Sequence, residues 1–525
     1  MTHTIRQNII RLLALLLFVL QGGPAAADPA ADLFAAARRG DTPAAEQLLA
    51  DGADANHTDP SGRTALILAA SLGHAATVKA LFEHGADSTA ASKDGSTALM
   101  LAAKGGHLET VRALQTESGK LDQRDQQGMT ALHWAVMRGH TEVAALLINK
   151  GAGINVAINT GATPLLFALA KRDNATAQLL IDRGADLEVT DRQSDLTPLL
   201  MAIEQEDAAA VRMLVEHGAA INHADAKQVT PLMLAAGKGQ QVMVALLLER
   251  GAGVNARDAT DRTPLLYAAA GKHAALAQTL ILGGADIDVA DQRGTTAVML
   301  AAQTGDILLL KALLQAGANA GQPDTRGFTA LLGAAYSGQQ EAVQALLEHG
   351  ADANTADAKD RTTLMWAALR GKVEIIETLL AHGADIHASD QRGTTALMLG
   401  LGRPESMDAL LAAGADVEHR DTRGFTPLMI AAWTGRVDAA RRLLDYGAKT
   451  DNRDTTKGRT ALMWAALKGH AAFVRLLLKR GADPALQDNA GLTAAMLAEK
   501  HNHPAVVKTL EDDASDQPAS RTGNQ

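Results

Sequence analysis

The sequence is dominated by one segment that returns about every 33 residues along nearly its whole length. The segment is easiest to follow by the Thr that opens each TALM-like or TPL-like stretch. These anchor residues are Thr64, Thr97, Thr130, Thr163, Thr197, Thr230, Thr263, Thr296, Thr329, Thr362, Thr395, Thr426, Thr460 and Thr493. A further copy without the Thr begins at Ala31, so about fifteen units lie between Ala31 and Asp512. A unit this short cannot bury its apolar face alone, so the period predicts units that stack on one another.

Each unit reads as two short helices joined by a turn. The anchor Thr is suited to cap the first helix, because its hydroxyl can accept a hydrogen bond from a free backbone N–H. Five of the fourteen Thr residues are followed by a proline, which is tolerated at the first position of a helix; the prolines are Pro164, Pro198, Pro231, Pro264 and Pro427. A Gly such as Gly139 ends the first helix, and a Gly such as Gly151 ends the second.

The shared pattern is D-x-x-G-x-T-x-L-x-x-A-A-x-x-G-H followed by V-x-x-L-L-x-x-G-A-D, and it resembles the ankyrin repeat. The resemblance implies an all-α ankyrin-repeat solenoid of about fifteen helix-turn-helix units with hairpin-like connecting loops. It places the array in residues 28–512, with a capping repeat from Ala31, and leaves residues 513–525 as a disordered polar tail. It also implies that partners bind in a concave groove lined by the first helices.

The first 27 residues are predicted to be a secretory signal peptide. Arg6 and Arg11 precede the apolar run Leu12–Leu20, and small residues lead up to a predicted cleavage after Ala27. The mature protein would then be periplasmic or secreted, without stable membrane insertion, and its net charge would change from -10 to about -12 with the loss of the two arginines. An uncleaved anchor or an organelle transit peptide is the alternative.

Composition and motifs argue against catalysis. The chain has no Cys, which excludes thiol chemistry and Cys-bound metals, and its net charge of -10 disfavours nucleic acid. It has no P-loop, no HExxH and no GxSxG. Most of the 17 histidines recur at repeat positions, and Glu499, His501 and His503 lack the second ligand cluster of a metal site. We therefore expect no enzyme activity, no cofactor and no metal site.

Three offsets from the anchor Thr, +4, +7 and +8, share one face of the first helix. We call this face the stripe. At +4 the residues are almost all apolar, with aromatics at Trp134, Phe167, Tyr267, Trp366 and Trp464. At +7 and +8 ten residues are basic and only Glu204 is acidic; the basic ones are Arg38, Arg39, Lys104, Arg138, Lys171, Lys238, Arg370, Arg403, Lys468 and Lys500. Tyr336 and Trp433 add aromatic rings at +7.

Two interpretations of the stripe remain open. In the first, it is a groove that binds an acidic protein segment, since Trp, Tyr and Arg are common interface anchors. The candidate contacts are Trp134, Arg138, Lys171, Tyr267, Tyr336, Trp366, Arg370, Trp433, Trp464 and Lys468. In the second, the +4 residues only pack between repeats and the basic residues complement helix C-termini.

The function predicted from these features is that of an exported protein that binds an extracytoplasmic partner as scaffold, stabiliser or inhibitor. An effector acting on host proteins, a hydrolase on the solenoid and an envelope spacer are the alternatives. Oligomeric state and partner identity do not follow from the sequence.

Some repeats depart from the pattern. Two residues are missing near Gly400–Pro404, which predicts either a distorted helix pair with a change of curvature or a deletion tolerated at an exposed edge. Single residues are added around Arg192–Leu196 and Asp454–Gly458. Only His133 fills the +3 position where ankyrin repeats often carry a bonding His, which predicts a thin polar network between repeats.

Overall fold

The computed structural model describes residues 29–114, 120–191 and 195–516, with backbone only for 514–516. The predicted leader, residues 192–194 of the longer loop and residues 517–525 of the predicted tail lie outside this part of the chain. The described residues form thirty helices and no extended strand, with three isolated bridges between loop residues. The all-α fold of about fifteen helix pairs is confirmed.

The first helix of every pair has an odd number and the second has an even number. The first helices are α1 (Pro29–Arg39), α3 (Ala65–Ser71), α5 (Ala98–Gly105), α7 (Ala131–Arg138), α9 (Pro164–Ala170), α11 (Pro198–Glu204), α13 (Pro231–Gly237), α15 (Pro264–Ala270), α17 (Ala297–Thr304), α19 (Ala330–Ser337), α21 (Thr363–Arg370), α23 (Ala396–Gly400), α25 (Pro427–Thr434), α27 (Ala461–Lys468) and α29 (Ala494–Lys500). The second helices are α2 (Thr42–Ala50), α4 (Ala75–Glu83), α6 (Leu108–Ala113), α8 (Thr141–Asn149), α10 (Asn174–Asp182), α12 (Ala208–Glu216), α14 (Gln241–Glu249), α16 (Ala274–Leu282), α18 (Ile307–Gln315), α20 (Gln340–Glu348), α22 (Val373–Ala381), α24 (Pro404–Ala412), α26 (Val437–Asp445), α28 (Ala471–Lys479) and α30 (Pro504–Asp516).

The caps form as the sequence predicts. The Thr64 hydroxyl accepts a hydrogen bond from the Ile67 N–H at 3.2 Å, and the same bond recurs at most of the anchor Thr residues. Gly139 closes α7 in the left-handed conformation, with φ 74°. The Ala pairs of the first helices, such as Ala69 and Ala70, are fully buried. Small side chains therefore let neighbouring helices approach closely, and the core needs few aromatic rings.

The helices pack into two compact units. Described residues up to Ala235, together with Val242–Ala252, form unit 1, and Ala236–Gln241 with residues from Gly253 onward form unit 2. Within each unit a first helix contacts the first helix of the next repeat and the second helix of its own repeat. Among the described residues, no helix is both long enough and apolar enough to cross a membrane.

The prediction of a thin polar network between repeats was wrong, because other positions supply the bonds. In unit 1 the Nε2 of His74 lies 3.2 Å from the Arg38 carbonyl of the preceding repeat, and His140 reaches the Lys104 carbonyl in the same way. In unit 2, His503 bonds the Leu467 carbonyl at 3.0 Å. Loop asparagines such as Asn56 add bonds to the following repeat.

The repeat with the two-residue deletion keeps both helices, but its first helix is short. α23 ends at Gly400 after five residues, and α24 begins at Pro404. The Arg403 Nε lies 3.4 Å from the Leu369 carbonyl, where other repeats place a turn His. The predicted distortion is therefore a lost helical turn.

The other departures fall at the edges of the repeats. The extra residue near Asp454 widens a loop, since Asp454 N–H donates to the Arg459 carbonyl where Asp421 N–H donates to Phe425. At the end of the chain α30 continues to Asp516, four residues beyond the predicted end of the array. Residues 513–516, which we expected to belong to the tail, are thus helical.

Candidate partner-binding surface

The structure brings the predicted stripe residues together at three places, in a recurring arrangement. A residue at +7 of one repeat lies against the ring at +4 of the next repeat. In two of the three groups a cation at +8 of that next repeat also stacks on the ring at +7. We call the three groups cluster A, in unit 1, and clusters B and C, in unit 2. Each cluster is described on its own below.

Cluster A consists of Lys104, Trp134 and Arg138. The Lys104 Nζ lies 3.9 Å from the centre of the Trp134 ring, a cation–π contact. The Trp134 indole N–H donates to Asp125 Oδ2 at 3.0 Å, which ties the ring to the loop of its own repeat. Arg138 is exposed and lines a shallow depression with Lys104 and His140. Cluster A is thus mainly a cationic surface over one half-buried ring.

Cluster B consists of Phe328, Tyr336, Trp366 and Arg370. The Tyr336 and Trp366 rings meet edge to face with centroids 5.2 Å apart, and Phe328 lies 5.7 Å from Trp366. The Arg370 guanidinium lies 4.9 Å above the Tyr336 ring. Tyr336 is 38% exposed, so a ring with a cation beside it faces solvent.

A cavity of about 670 Å³ opens beside cluster B. Phe328, Tyr336 and Trp366 supply its apolar walls, and its charged walls combine Arg326, Lys359 and Arg361 with Asp324 and Asp357. The volume falls in the range of small-ligand pockets. The indole nitrogen of Trp366 is shielded from solvent and donates to no described residue.

Cluster C consists of Phe425, Trp433, Trp464 and Lys468. Trp433 and Trp464 pack with centroids 4.8 Å apart, Phe425 lies 5.2 Å from Trp464, and the Lys468 Nζ lies 3.9 Å above Trp433. Trp464 is only 6% exposed and its indole N–H donates to Asp454 Oδ2 at 3.0 Å, whereas Trp433 is 41% exposed. Cluster C is therefore a filled platform with one indole on its surface.

Two predicted contacts lie outside the clusters. Lys171 follows α9 and is exposed. The Tyr267 hydroxyl donates to Asp258 Oδ2 at 2.8 Å, and Arg262 stacks on the same ring at 4.7 Å. Burial alone would raise the pKa of Asp258, but hydrogen bonds from Thr260, Arg262 and Tyr267 outweigh it and lower the pKa to about 2. Tyr267 thus helps to hold a loop carboxylate in its charged form.

Sequence reasoning missed the loop arginines that stack on the stripe rings. Arg361 lies 4.2 Å above Trp366 and Arg459 lies 4.9 Å above Trp464, each directly before the anchor Thr of that repeat. Arg326 and Arg423 stack on Phe328 and Phe425 in the same manner. The signal was present in the period, because these arginines recur at fixed distances before the Thr.

The geometry separates the roles of the +4 and +7 residues. Trp134, Tyr267 and Trp464 bond loop carboxylates of their own repeats, so their contribution to packing and loop structure is evident. Tyr336 and Trp433 at +7 leave more than a third of their surface to solvent. The rings at +7 are therefore the more exposed rings of clusters B and C.

No group of three or more His, Asp or Glu side chains could hold a metal ion in the part of the chain that the structure describes. His503, one of the residues weighed as a metal ligand, instead bonds the Leu467 carbonyl.

Comparison with known proteins places the chain in a family. The family model for ankyrin repeats in three copies matches residues 33–125, 117–191, 176–258, 265–357, 334–421, 364–454 and 449–519. The chain belongs to the ankyrin repeat family. Ankyrin repeats imply protein–protein interaction, and this coarse function follows for the array as a whole.

Individual relatives match over short segments of this ankyrin array. The probable E3 ubiquitin-protein ligase XBOS32 of Oryza sativa subsp. japonica is 40% identical over 81 residues, which cover 15% of this chain and 16% of the relative. Ankyrin repeat domain-containing protein 63 of Homo sapiens is 40% identical over 75 residues, 14% of this chain and 20% of the relative. Ankyrin repeat and SAM domain-containing protein 6 of Mus musculus is 39% identical over 75 residues, 14% of this chain and 8% of the relative. The chain thus spans a fifth or less of these three relatives, and the ligase activity in the rice protein's name stays with that protein.

Proposed function

We propose that this ankyrin-repeat protein is exported and binds an extracytoplasmic protein through clusters A, B and C, as scaffold, stabiliser or inhibitor. The observation that carries the proposal is the exposure of Tyr336 and Trp433, each with a basic residue stacked on its ring. The chain as a whole carries a net charge of -10, so cations gathered at the first helices of each unit favour a partner with an acidic segment.

The binding surface is tested by reversing one cation in each cluster. We expect the triple variant Arg138→Glu, Arg370→Glu and Lys468→Glu to bind its crosslinked partner at least tenfold more weakly, a change of about 1.4 kcal/mol or more. The partner is first captured by crosslinking in the native compartment and identified, and its affinity for purified variants is then measured by calorimetry.

The matched control reverses three exposed cations on second helices, Arg212, Lys311 and Lys479, which changes the net charge by the same amount. The proposal requires the control to bind as the unaltered protein does. A folded stripe variant with unchanged affinity would reject the assignment of this surface.

Export is tested separately on the protein recovered from fractionated cells. We expect N-terminal sequencing to begin at Asp28 and the protein to leave the cytoplasmic fraction. A chain that keeps residues 1–27 and remains in the cytoplasm would contradict the proposal.

A further inference from the structure

Clusters B and C repeat one arrangement of side chains three repeats apart. Each has Phe directly before the anchor Thr, an aromatic ring at +7, Trp at +4 of the next repeat and a cation at +8 of that repeat. The chain contains 4 Trp, 3 Tyr and 7 Phe, and six of these fourteen rings lie in the two clusters. So uneven a distribution is not explained by core packing, which elsewhere in the chain uses mainly Ala and Leu.

The two clusters differ in how much room they leave. In cluster C, Trp433 packs closely on Trp464, and Asp454 holds the Trp464 indole. In cluster B the +7 ring is the smaller Tyr336, and the cavity of about 670 Å³ remains beside it. Cluster B therefore offers a recess and cluster C a flat exposed ring.

The charges beside the cavity have two different roles. Arg361 is paired with Asp357 at 2.7 Å and Arg326 with Asp324 at 2.8 Å, so the charges of these arginines are balanced by their own loops. Arg370 and Lys359 form no ion pair with a described residue, and Arg370 lies over the ring that lines the recess. An occupant with a carboxylate would meet these two cations, and its apolar part would meet the rings.

From these observations we infer that clusters B and C together bind one extended protein segment that carries two aromatic residues, each flanked by carboxylates. The first aromatic side chain enters the recess of cluster B and the second lies on Trp433. This inference rests on the proposed function and specifies the partner's segment.

The spacing of the two anchors follows from the repeat geometry. Helices pack about 8–10 Å apart, so three repeats separate the clusters by roughly 24–30 Å. An extended chain rises about 3.3 Å per residue, which corresponds to roughly seven to nine residues between the two anchors. The repeat with the shortened helix α23 lies between the clusters. Its +7 residue is Gly402, and the side chain of its +8 residue, Arg403, lies against the Leu369 carbonyl. The connecting part of the segment therefore crosses a place without a large +7 side chain.

The probe for this inference is a fluorescein-labelled peptide with two Glu-Phe-Glu units joined by about seven Gly and Ser residues. We expect saturable binding to the full-length protein by fluorescence anisotropy, and at least tenfold weaker binding when the units are Glu-Ala-Glu or Lys-Phe-Lys. Shortening the spacer to two residues should weaken binding to the level of a peptide with one unit, because the two anchors can then no longer be reached together.

Substitutions in the protein supply the matched controls. We expect Tyr336→Ala, Trp433→Ala and the double charge variant Lys359→Gln with Arg370→Gln each to weaken binding of the two-unit peptide about tenfold or more. Tyr446→Ala removes a ring that is 52% exposed directly after the second helix α26 and should leave binding unchanged. All of these side chains lie at the surface, and circular dichroism checks that each variant is folded.

The outcomes separate this inference from the proposed function. Equal binding of the Lys-Phe-Lys peptide, no effect of spacer length or unchanged binding by Tyr336→Ala would overturn the inference. If charge reversal of Arg138, Arg370 and Lys468 abolishes binding of the native partner in that case, the proposed function stands although the inference fails. If that reversal leaves partner binding intact, the proposed function itself fails.

Discussion

At the scale of single residues, buried polar groups in this protein close turns and cap helices. His133 is the clearest case, because it lies fully buried in α7 and forms a capping box with Thr130. The Thr130 N–H donates to His133 Nδ1 at 3.2 Å, which requires that nitrogen to be unprotonated. Burial lowers the pKa of His133 from 6.5 to about 4, while the backbone carbonyls of Ala162 and Val156 oppose the shift.

Acidification should therefore destabilise unit 1 through His133. Below pH 6.5 the unfolded chain binds a proton that the folded chain binds only near pH 4, so stability falls as the pH drops through this window. The loss from pH 7.5 to pH 5 should be about 2 kcal/mol. Urea denaturation at both pH values, compared between the unaltered protein and His133→Met, isolates the effect. Met100 occupies the same position in the preceding repeat, so Met suits this site, and an identical pH dependence in the two proteins would contradict the prediction.

Trp464 and Trp366 occupy equivalent positions but should respond differently to Phe. Trp464→Phe removes the hydrogen bond to Asp454 and should cost about 1–3 kcal/mol of the free energy of unfolding, because a buried carboxylate loses one of its donors. Trp366→Phe removes an indole N–H that has no described partner and should change stability by less than about 0.5 kcal/mol. Thermal and urea denaturation measure both. Equal losses would show that the ring, and not the hydrogen bond, sets the cost.

At the scale of helices and loops, much of the architecture could be predicted from the sequence. The anchor Thr, the prolines after it and the terminal glycines carry local signals for capping, so the helix pairs could be placed within a few residues. The bonds from His74 and His140 to the preceding repeat could not be predicted, because they depend on how neighbouring repeats pack. For the same reason the sequence does not predict that a recess stays open beside Tyr336 whereas Trp433 fills the equivalent space.

The shortened helix α23 offers a test of this local account. Gly400 has helical backbone, and an added Cβ would lie 3.6 Å from both Ala368 and Leu410, an ordinary contact. Gly400→Ala should therefore stabilise the protein by about 0.5–1 kcal/mol. Gly393 of the same repeat has φ 71°, and an added Cβ would lie only 3.0 Å from the Asp421 Cα, so Gly393→Ala should destabilise. Urea denaturation compares the two variants, and a shift of the same sign in both would refute the account.

At the scale of the whole molecule, charge is distributed unevenly. The chain has 59 acidic and 49 basic residues. At offsets +7 and +8 of the first helices, however, ten of the eleven charged residues are basic. In the structure Arg403 lies in a turn, whereas Arg138, Arg370 and Lys468 are exposed, and Arg370 and Lys468 lie over aromatic rings. The predominance of cations at these first-helix positions could be predicted from the sequence, whereas their stacking on specific rings required the fold.

This distribution predicts that partner binding depends on salt. Raising the ionic strength from about 0.05 M to about 0.5 M should weaken binding several-fold, mainly by slowing association, because mobile ions screen charges at the rim of an interface. Surface plasmon resonance with the captured partner separates the association and dissociation rates. A salt-independent association rate would argue against an acidic segment as the element recognised.

The backward bond of the turn residues has a consequence for how such a chain changes length over evolution. In many repeats the turn side chain bonds a carbonyl in the preceding repeat, and His74, Gln339 and His503 each reach back 36 residues. Unequal recombination can remove or duplicate one full period. The new neighbours then still have a turn side chain in one repeat and its carbonyl acceptor in the repeat before it. The lineage can therefore lengthen or shorten the array one copy at a time without first inventing a new junction.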